Sequence, residues 1–310
     1  MQDNSHAGMA DPQRPAFTLA IPDDMPVPIL IAAPHAGRDY SPALLSRMRN
    51  PEFAALRLED RHVDALARSV AQLTGSGLLL AQAPRAMLDL NRAIDDMDWS
   101  MIIEGPPPDA SRHSLANRRA RNGLGLVPRR LQGLGEIWRD RLTIAELDER
   151  IAAIHGPYHA ALGTALDQIC DRWGAALLID LHSMPPLKAP DDAGQDTHFV
   201  IGDRFGASCN RGLAGTAMRW LAVNDRPAAH NRPYAGGYVL DRHGKPGRGI
   251  HALQIEVCRS RYLDSRFDEP SGRFAGVARL LAGLVRELAG EVANLGSVRS
   301  RTRHLPYAAE

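Results

Sequence analysis

The chain has 310 residues, and its hydrophobic content of 44% and charged content of 24% are ordinary for a globular protein. A net charge of +1 excludes the strongly basic composition of nucleic-acid binders and of membrane-surface proteins. The 3 cysteines are too few and too scattered for a disulfide framework, so we expect reduced thiols in a cytoplasmic protein. Residues 1–15 lack the apolar segment of a signal peptide and are predicted to be a flexible tail.

The first buried strand is predicted at Ile29–Ala33, an apolar run that ends at Pro34. His35 follows the strand, and Gly37 permits a tight turn after it. A histidine at the end of a buried strand is a candidate metal ligand, although a loop histidine without a task would give the same pattern.

A helix is predicted from about Val63 to Leu73, with Asp60 just before it. A carboxylate at this place is commonly a helix cap. It is also a candidate for the third ligand of a metal, with Glu59 as the alternative.

A short strand at Met87–Leu90 is predicted between Arg85 and the pair Asn91 and Arg92. Arginine grips a carboxylate with two parallel hydrogen bonds, so the Asn-Arg pair indicates an anionic substrate. Surface ion pairs with the following aspartates would be an equally ordinary use of these arginines. Residues 93–142 lack periodicity, which is typical of a lid or of an irregular excursion.

The segment from Ala175 to Ile179 predicts a buried central strand that leads into Asp180, His182 and Ser183. In open α/β sheets, ligands bind at the carboxyl ends of the strands, so His182 is expected at the mouth of a site. Asp180 lies on the same face of the strand and could hold the imidazole in one tautomer. A turn-capping histidine is the ordinary alternative.

The later part of the chain offers two further features. The segment PYAGGY contains Tyr234, Gly236 and Gly237, which we assign to substrate binding because glycines allow close approach of the backbone. The last inner strand, His251–Val257, places Glu256 among apolar residues, where a carboxylate is costly unless it has a partner or a task.

Two histidines and one carboxylate are the usual ligands of a hydrolytic zinc centre. His35, Asp60 and His182 are therefore the candidate ligands of one Zn²⁺ per chain, with Glu256 as the candidate general base. Arg85 is the candidate oxyanion stabiliser, and Arg92 would hold a substrate carboxylate. A serine nucleophile at Ser183 is the weaker hypothesis, because the segment lacks the GxSxG elbow.

Seven short motifs in this order resemble the N-formylglutamate amidohydrolase family over roughly residues 27–262. They are PHAGRDY (34–40), LEDRHVD (58–64), RAMLDLNR (85–92), PYHAAL (157–162), DLHSMP (180–185), PYAGGY (233–238) and HALQIEV (251–257). The family is related to zinc carboxypeptidases and to aspartoacylase-like deacylases.

The resemblance implies a single-domain α/β fold with a mixed central β-sheet flanked by helices, of the phosphorylase/hydrolase-like type. It implies hydrolysis of N-formyl-L-glutamate to formate and L-glutamate, late in histidine degradation. The residues that match the metal ligands are His35, Asp60 and His182, and Glu256 matches the general base. Arg85, Asn91 and Arg92 match the residues that contact the carboxylate and the oxyanion.

Two positions depart from the expected patterns. Arg38 stands three residues after the first histidine, where carboxypeptidase-like sites have a glutamate, and Ala36 stands where the family usually has a serine. These departures bear on the identity of the acyl amino acid more than on the type of reaction.

We therefore expect a catalytic domain over residues 16–296 and a basic tail over 297–310. The expected protein is a monomer or a small homo-oligomer that acts on a small N-acyl amino acid, with no nucleic-acid or membrane partner. Two alternatives remain open at this point. One is a zinc carboxypeptidase or N-acyl-peptide hydrolase, and the other is a non-catalytic metal-binding or ligand-binding homologue.

Overall fold

The computed structural model describes residues 15–107, 118–187 and 196–303. Most of the predicted N-terminal tail, the middle of the 93–142 excursion and residues 304–310 lie outside these ranges. The prediction of a lid over 93–142 therefore lies partly outside the described residues.

Within the described residues, the main sheet has seven strands in the spatial order β1-β3-β2-β6-β9-β7-β8. Its strands are β1 (Phe17–Ala20), β2 (Ile29–Ala33), β3 (Gly77–Ala81), β6 (Ala176–Met184), β7 (Phe199–Gly202), β8 (Ala228–His230) and β9 (Ile250–Cys258). A two-stranded ribbon consists of β4 (Arg130–Leu131) and β5 (Gly135–Glu136).

The centre of the main sheet is parallel. Strand β2 pairs with β6, and β6 pairs with β9, all in the same direction. Every residue of these three strands is buried, which is why most of their residues are apolar. Strand β7 runs antiparallel to β9, so the sheet is mixed.

Nine α-helices flank the sheet strands in the sequence of the described residues. They are α1 (Pro42–Ser46), α2 (Pro51–Leu58), α3 (Val63–Thr74), α4 (Arg118–Arg121), α5 (Ile144–Arg150), α6 (Gly156–Trp173), α7 (Arg211–Val223), α8 (Tyr238–His243) and α9 (Phe274–Arg303). Helices α3 and α9 pack against each other and both contact β6, while α7 packs against α9 and β7. The α/β prediction with a mixed central sheet flanked by helices is confirmed.

The local signals in the sequence explain where several helices begin. Ser41 caps α1 through a hydrogen bond that its hydroxyl accepts from the amide of Leu44. Thr143 and Glu146 form a capping box at the start of α5, as their spacing predicts. A π-helical turn, Ile151–His155, separates α5 from α6.

The chain divides into two compact units that are interleaved along the sequence. One comprises the residues up to Thr18, Pro34–Glu59 and Leu80–Ala160. The other comprises Leu19–Ala33, Asp60–Leu79 and the residues from Ala161 onward. The assignment of residues 16–296 to a single catalytic domain stays a prediction.

Two local predictions differ from the structure. Met87–Leu90 forms a turn instead of a strand. This segment is a short apolar run, whose periodicity does not distinguish strand from helix or turn. The last helix continues through Ser297–Arg303, since that segment has no proline to end it.

In the part of the chain that the structure describes, none of the helices combines the length and apolar character needed to cross a bilayer.

Candidate functional site

His182 lies near the end of β6 between two buried carboxylates. Its Nδ1 is 3.0 Å from Oδ2 of Asp60, and its Nε2 is 2.9 Å from Oδ2 of Asp180. The distance between Nε2 and Asp180 is that of a hydrogen bond, but the donor is not aligned with the carboxylate oxygen. The predicted pairing of Asp180 with His182 is thus present as a close ionic contact.

Burial by itself lowers the pKa of His182, because the charged imidazolium loses its hydration. The charge of Asp180, the close contacts with Asp180 and Asp60 and the charge of Glu256 raise the pKa. The net result in the metal-free chain is a pKa well above the ordinary histidine value. The surroundings of the ring therefore favour positive charge, as expected where a cation binds.

The side chain of Asp60 is directed to this site and does not cap α3. Its Oδ1 accepts a hydrogen bond from the hydroxyl of Ser183 at 3.1 Å. The same hydroxyl accepts a hydrogen bond from Nε of Arg259 at 3.1 Å, and the Arg259 guanidinium lies 3.5 Å from Oδ1 of Asp60. One oxygen of Asp60 is thus held by Ser183 and Arg259, and the other faces His182.

Glu256 stands beside His182 on the neighbouring strand. The two residues are direct partners in the parallel pairing of β6 and β9, so their side chains lie on one face of the sheet. Gln254 donates a hydrogen bond to Oε1 of Glu256 at 3.0 Å. This amide satisfies one carboxylate oxygen of a side chain that is only 7% exposed.

The segment that contains Tyr234, Gly236 and Gly237 crosses the same face of the sheet. Tyr234 packs against a cluster formed by Met184, Val200 and Cys258, which share this face with His182 and Glu256. The backbone at Ala235 and Gly236 passes so close to Gly202 that a Cβ there would lie 2.7 Å from the carbonyl carbon of Ala235. Gly236 has φ of 101°, which only glycine adopts readily. Gly237 is the N-cap of α8.

Asp89 is the centre of a second cluster, which lies in the unit that contains Pro34–Glu59 and Leu80–Ala160. Its Oδ1 is 2.6 Å from Nε2 of His35, and its Oδ2 accepts a hydrogen bond from Nε of Arg85 at 2.9 Å. Arg92 approaches the same carboxylate at 3.9 Å. Burial alone would raise the pKa of Asp89, but Arg85, His35 and Arg92 together hold it well below the usual range. Asp89 is therefore a stable anion.

The turn at residues 89–92 presents Asn91 and Arg92. The amide of Asn91 donates to Oδ1 of Asp89 at 2.8 Å, and the amide of Arg92 donates to the Asp89 carbonyl. Arg92 uses Nε for the carbonyl of Leu124 and one terminal nitrogen for that of Asn91. The guanidinium of Arg92 also lies 3.8 Å from the carboxylate of Asp96. An ion pair with a following aspartate, the alternative use of these arginines, is therefore present next to the contact with Asp89.

The structure brings together the three residues that the sequence marks as metal ligands. His35, Asp60 and His182 are all buried, and one ligand atom from each lies within 4.8 Å of the other two. Glu59, the alternative carboxylate, is not a member of this group. Two imidazoles and one carboxylate form a donor set that suits zinc and similar divalent metals.

Sequence reasoning missed four residues that organise these clusters: Asp89, Ser183 as a hydroxyl donor, Gln254 and Arg259. Asp89 lies within DLNR and Ser183 within DLHSMP, so the motifs contained both of them. Arg259 follows β9 directly and carries no local signal, because its contacts with Ser183 and Asp60 depend on the parallel pairing of β6 and β9.

Comparisons with known proteins place this chain beside relatives with a stated activity. The family model described as N-formylglutamate amidohydrolase matches residues 27–263. An N-formylglutamate deformylase from Pseudomonas aeruginosa is 28% identical over 267 residues, which are 84% of this chain and 91% of the relative. A second N-formylglutamate deformylase, from Pseudomonas putida, is 28% identical over 243 residues, or 77% of this chain and 82% of the relative.

The same family appears among solved structures. The crystal structure of an N-formylglutamate amidohydrolase from Ralstonia eutropha JMP134 has a TM-score of 0.79 and 32% sequence identity. The match covers 90% of this chain and 99% of that one. A gene product of Agrobacterium tumefaciens, at 15% identity and a TM-score of 0.59, shares the fold. The match to the family model and the likeness to the Ralstonia structure establish that this chain belongs to the N-formylglutamate amidohydrolase family.

Proposed function

We propose that the chain is a zinc-dependent amidohydrolase that cleaves N-formyl-L-glutamate, or a similar N-acyl acidic amino acid, to formate or the corresponding acid and the free amino acid. Membership of the family makes it a hydrolase of a linear amide bond. The observation that carries the proposal of a metal is the group of His35, Asp60 and His182, whose ligand atoms lie within 4.8 Å of one another.

The hydrogen-bond partners of the two histidines support this donor set. Nε2 of His35 faces Asp89, and Nε2 of His182 faces Asp180. Since a carboxylate only accepts, the neutral ring of His35 carries its proton on Nε2 and keeps the lone pair of Nδ1 for a metal. His182 has a carboxylate at each nitrogen, and a metal held by its Nδ1 and Asp60 would leave the Nε2 proton facing Asp180. Asp60 places its Oδ2 3.0 Å from Nδ1 of His182, close to the separation of about 3.3 Å between two ligands of one tetrahedral zinc ion.

A zinc ion held by these residues would supply a lowered pKa for water and polarisation of the amide carbonyl. Glu256 then acts as general base and takes a proton from the water whose oxygen attacks the acyl carbon. The same carboxyl group returns the proton to the amine nitrogen as the C–N bond breaks, so the products are a carboxylic acid and a free amino acid. Arg85 is proposed to stabilise the oxyanion that develops on the attacked carbonyl.

Arg92 and Asn91 are proposed to bind a carboxylate of the substrate, with Tyr234, Gly236 and Gly237 as further substrate contacts. The guanidinium groups of Arg85 and Arg92 lie together beside Asp89, and a planar guanidinium can bind a substrate carboxylate through two hydrogen bonds, which supports an anionic substrate. We further propose a cytoplasmic monomer or small homo-oligomer that serves histidine degradation.

The test is a substrate screen with metal-free and zinc-reconstituted protein. N-formyl-L-glutamate, other N-acyl amino acids and N-acyl peptides are each incubated with both forms, and release of the free amine is measured. We expect hydrolysis of N-formyl-L-glutamate by the zinc form and loss of activity in the presence of chelator. Full activity of metal-free protein would overturn the zinc dependence. Hydrolysis of N-acyl peptides but not of N-acyl amino acids would overturn the proposed substrate class in favour of peptides.

A further inference from the structure

Three side chains of the α5–α6 region bind backbone carbonyls of the turn that carries Asp89 and Arg92. Arg150 donates to the carbonyl of Met87 at 2.8 Å. Nε2 of His155 is 2.9 Å from the carbonyl oxygen of Arg92, and Nε2 of His159 is 3.0 Å from that of Leu90. All three side chains are at most 4% exposed.

The π-helical turn explains why these three residues share one helix face. In a regular α-helix, residues three or four apart are neighbours on the surface, whereas residues five apart are not. The turn Ile151–His155 closes with five-residue steps and thus brings His155 to the face occupied by Arg150. His159 follows at the ordinary spacing of four, and its ring centroid lies 4.4 Å from that of His155.

The chemistry of the contacts defines the state of both rings. A backbone carbonyl only accepts hydrogen bonds, so Nε2 of each histidine must carry a proton. The carbonyls of Met87, Leu90 and Arg92 belong to a turn and have no strand partner to satisfy them. Buried side chains of the α5–α6 region therefore provide the hydrogen bonds that a neighbouring strand would provide in a sheet. The conformation of the turn depends on these hydrogen bonds.

We propose that His155 and His159 are positioning residues that hold the 90–92 turn in the conformation required for Arg92 to bind the carboxylate of the substrate. This inference rests on the proposed role of Arg92. The two imidazoles bind the carbonyls of Leu90 and Arg92 on either side of Asn91, so the backbone that precedes the Arg92 guanidinium is fixed at both ends. The histidines themselves act only through this backbone.

Two substitutions at position 159 separate the hydrogen bond from the ring. His159→Gln keeps an N–H donor at a similar reach and loses the ring, and His159→Phe keeps an aromatic ring and loses the donor. In the zinc-loaded enzyme we expect His159→Phe to raise KM for N-formyl-L-glutamate at least fivefold with kcat within about threefold, since one hydrogen bond is lost. His159→Gln should recover most of the wild-type KM, with the zinc content unchanged in both variants.

His155→Phe and His155→Gln should show the same contrast, and they replace the first pair if position 159 does not tolerate phenylalanine. The matched control is His243→Phe, which removes a buried histidine from α8 and should leave KM unchanged. A wild-type KM in both phenylalanine variants, or equal effects of phenylalanine and glutamine, would overturn the inference.

Hydrogen exchange of the peptide that contains residues 87–92 gives a second readout that does not need activity. The phenylalanine variants should exchange these amides at least fivefold faster than wild type, while the glutamine variants and His243→Phe should not. If wild type fails to hydrolyse N-formyl-L-glutamate, the proposed function fails, and the exchange experiment still decides whether the histidines hold the turn. Unchanged exchange in the phenylalanine variants would overturn the inference whatever the activity.

Discussion

His182 and Glu256 are direct partners across the parallel strands β6 and β9, so an imidazole and a carboxylate stand side by side on one face of the sheet. Asp60 meets the imidazole from one side, and Gln254 holds the carboxylate from the other. The carboxyl ends of two central strands thus place a candidate metal ligand next to a candidate base without any contribution from a flexible loop.

The first prediction concerns Glu256. Glu256→Gln keeps the shape of the side chain but removes the basic oxygen, so hydrolysis should fall by at least about 10²-fold, the usual scale of a general base. Zinc content should stay the same, because Glu256 is outside the group of candidate ligands. Steady-state assays with metal analysis measure both quantities.

Glu52→Gln is the matched control for this experiment. Glu52 is an exposed residue in the first turn of α2, and its replacement should leave activity and zinc content unchanged. If Glu256→Gln retains full activity, the carboxylate is not the base and another group must accept the proton of water.

The second prediction concerns the hydroxyl of Ser183. Its hydrogen bond to Oδ1 of Asp60 fixes the orientation of a candidate ligand. Mutation of a residue that hydrogen-bonds a metal ligand typically lowers metal affinity by about 10- to 100-fold. Ser183→Ala should therefore weaken zinc binding by about that factor, measured by competition with a chelating dye. If Ser183 were a nucleophile instead, alanine would abolish activity even at saturating zinc, which would contradict this interpretation.

Ser46→Ala is the control for the loss of a hydroxyl. Ser46 lies exposed on α1, where its hydroxyl donates to the carbonyl of Ala43, so removal of this hydroxyl should not change zinc affinity.

The third prediction separates the roles of the two arginines beside Asp89. Arg92→Lys replaces a planar fork by a point charge and should raise KM for N-formyl-L-glutamate about tenfold or more, with a smaller change in kcat. Arg85→Lys should act mainly on kcat, by about 10²-fold, if its guanidinium stabilises the oxyanion. The control is Arg130→Lys, at a side chain that is 56% exposed, and it should leave both kcat and KM unchanged. Equal effects of Arg85→Lys and Arg92→Lys on KM would contradict the separate roles.

The fourth prediction concerns acid stability. Burial, assisted by Arg299, lowers the pKa of His251 to about 4, and its Nδ1 accepts a hydrogen bond from the amide of Asn210. The unfolded chain titrates this residue near pH 6.5, so between these values it binds more protons than the folded chain. Stability is therefore complete above about pH 6.5 and is lost as the pH falls toward 4, by about 2 kcal/mol at pH 5 from this residue.

His251→Gln should reduce that loss, because glutamine keeps an acceptor and does not titrate. The measurement is the free energy of unfolding of metal-free protein at pH 7 and pH 5, since metal binding would add its own dependence on pH. An equally steep decline in the variant would show that His251 is not responsible.

Much of the candidate site could be predicted from the sequence, because a parallel sheet collects the ends of its strands at one edge. The apolar run before His182 indicated its strand, and the structure confirms β6 and its register with β9. His35 could be predicted in the same way from the apolar run of β2. Asp60 was harder, since a carboxylate before a helix is ordinarily a cap, and only its contact with His182 shows another use.

The failures lie where local pattern does not decide the conformation. Met87–Leu90 has the composition of a short strand, yet it is a turn because Arg150, His155 and His159 satisfy carbonyls of residues 87–92 from a helix more than 50 positions away in the sequence. Here tertiary contacts outweigh a weak local preference.

The sequence by itself determined the strand-end positions of both candidate histidine ligands and the capping box of α5, because each follows from the order and spacing of neighbouring residues. Its seven motifs implied the fold class through their resemblance to the family. Only the tertiary structure decided that Asp89 joins His35 to Arg85, that Ser183 and Arg259 hold Asp60, and that a π-helical turn aligns the side chains that bind the 87–92 turn. These relations join residues far apart in the chain, and their geometry arises only when the elements pack.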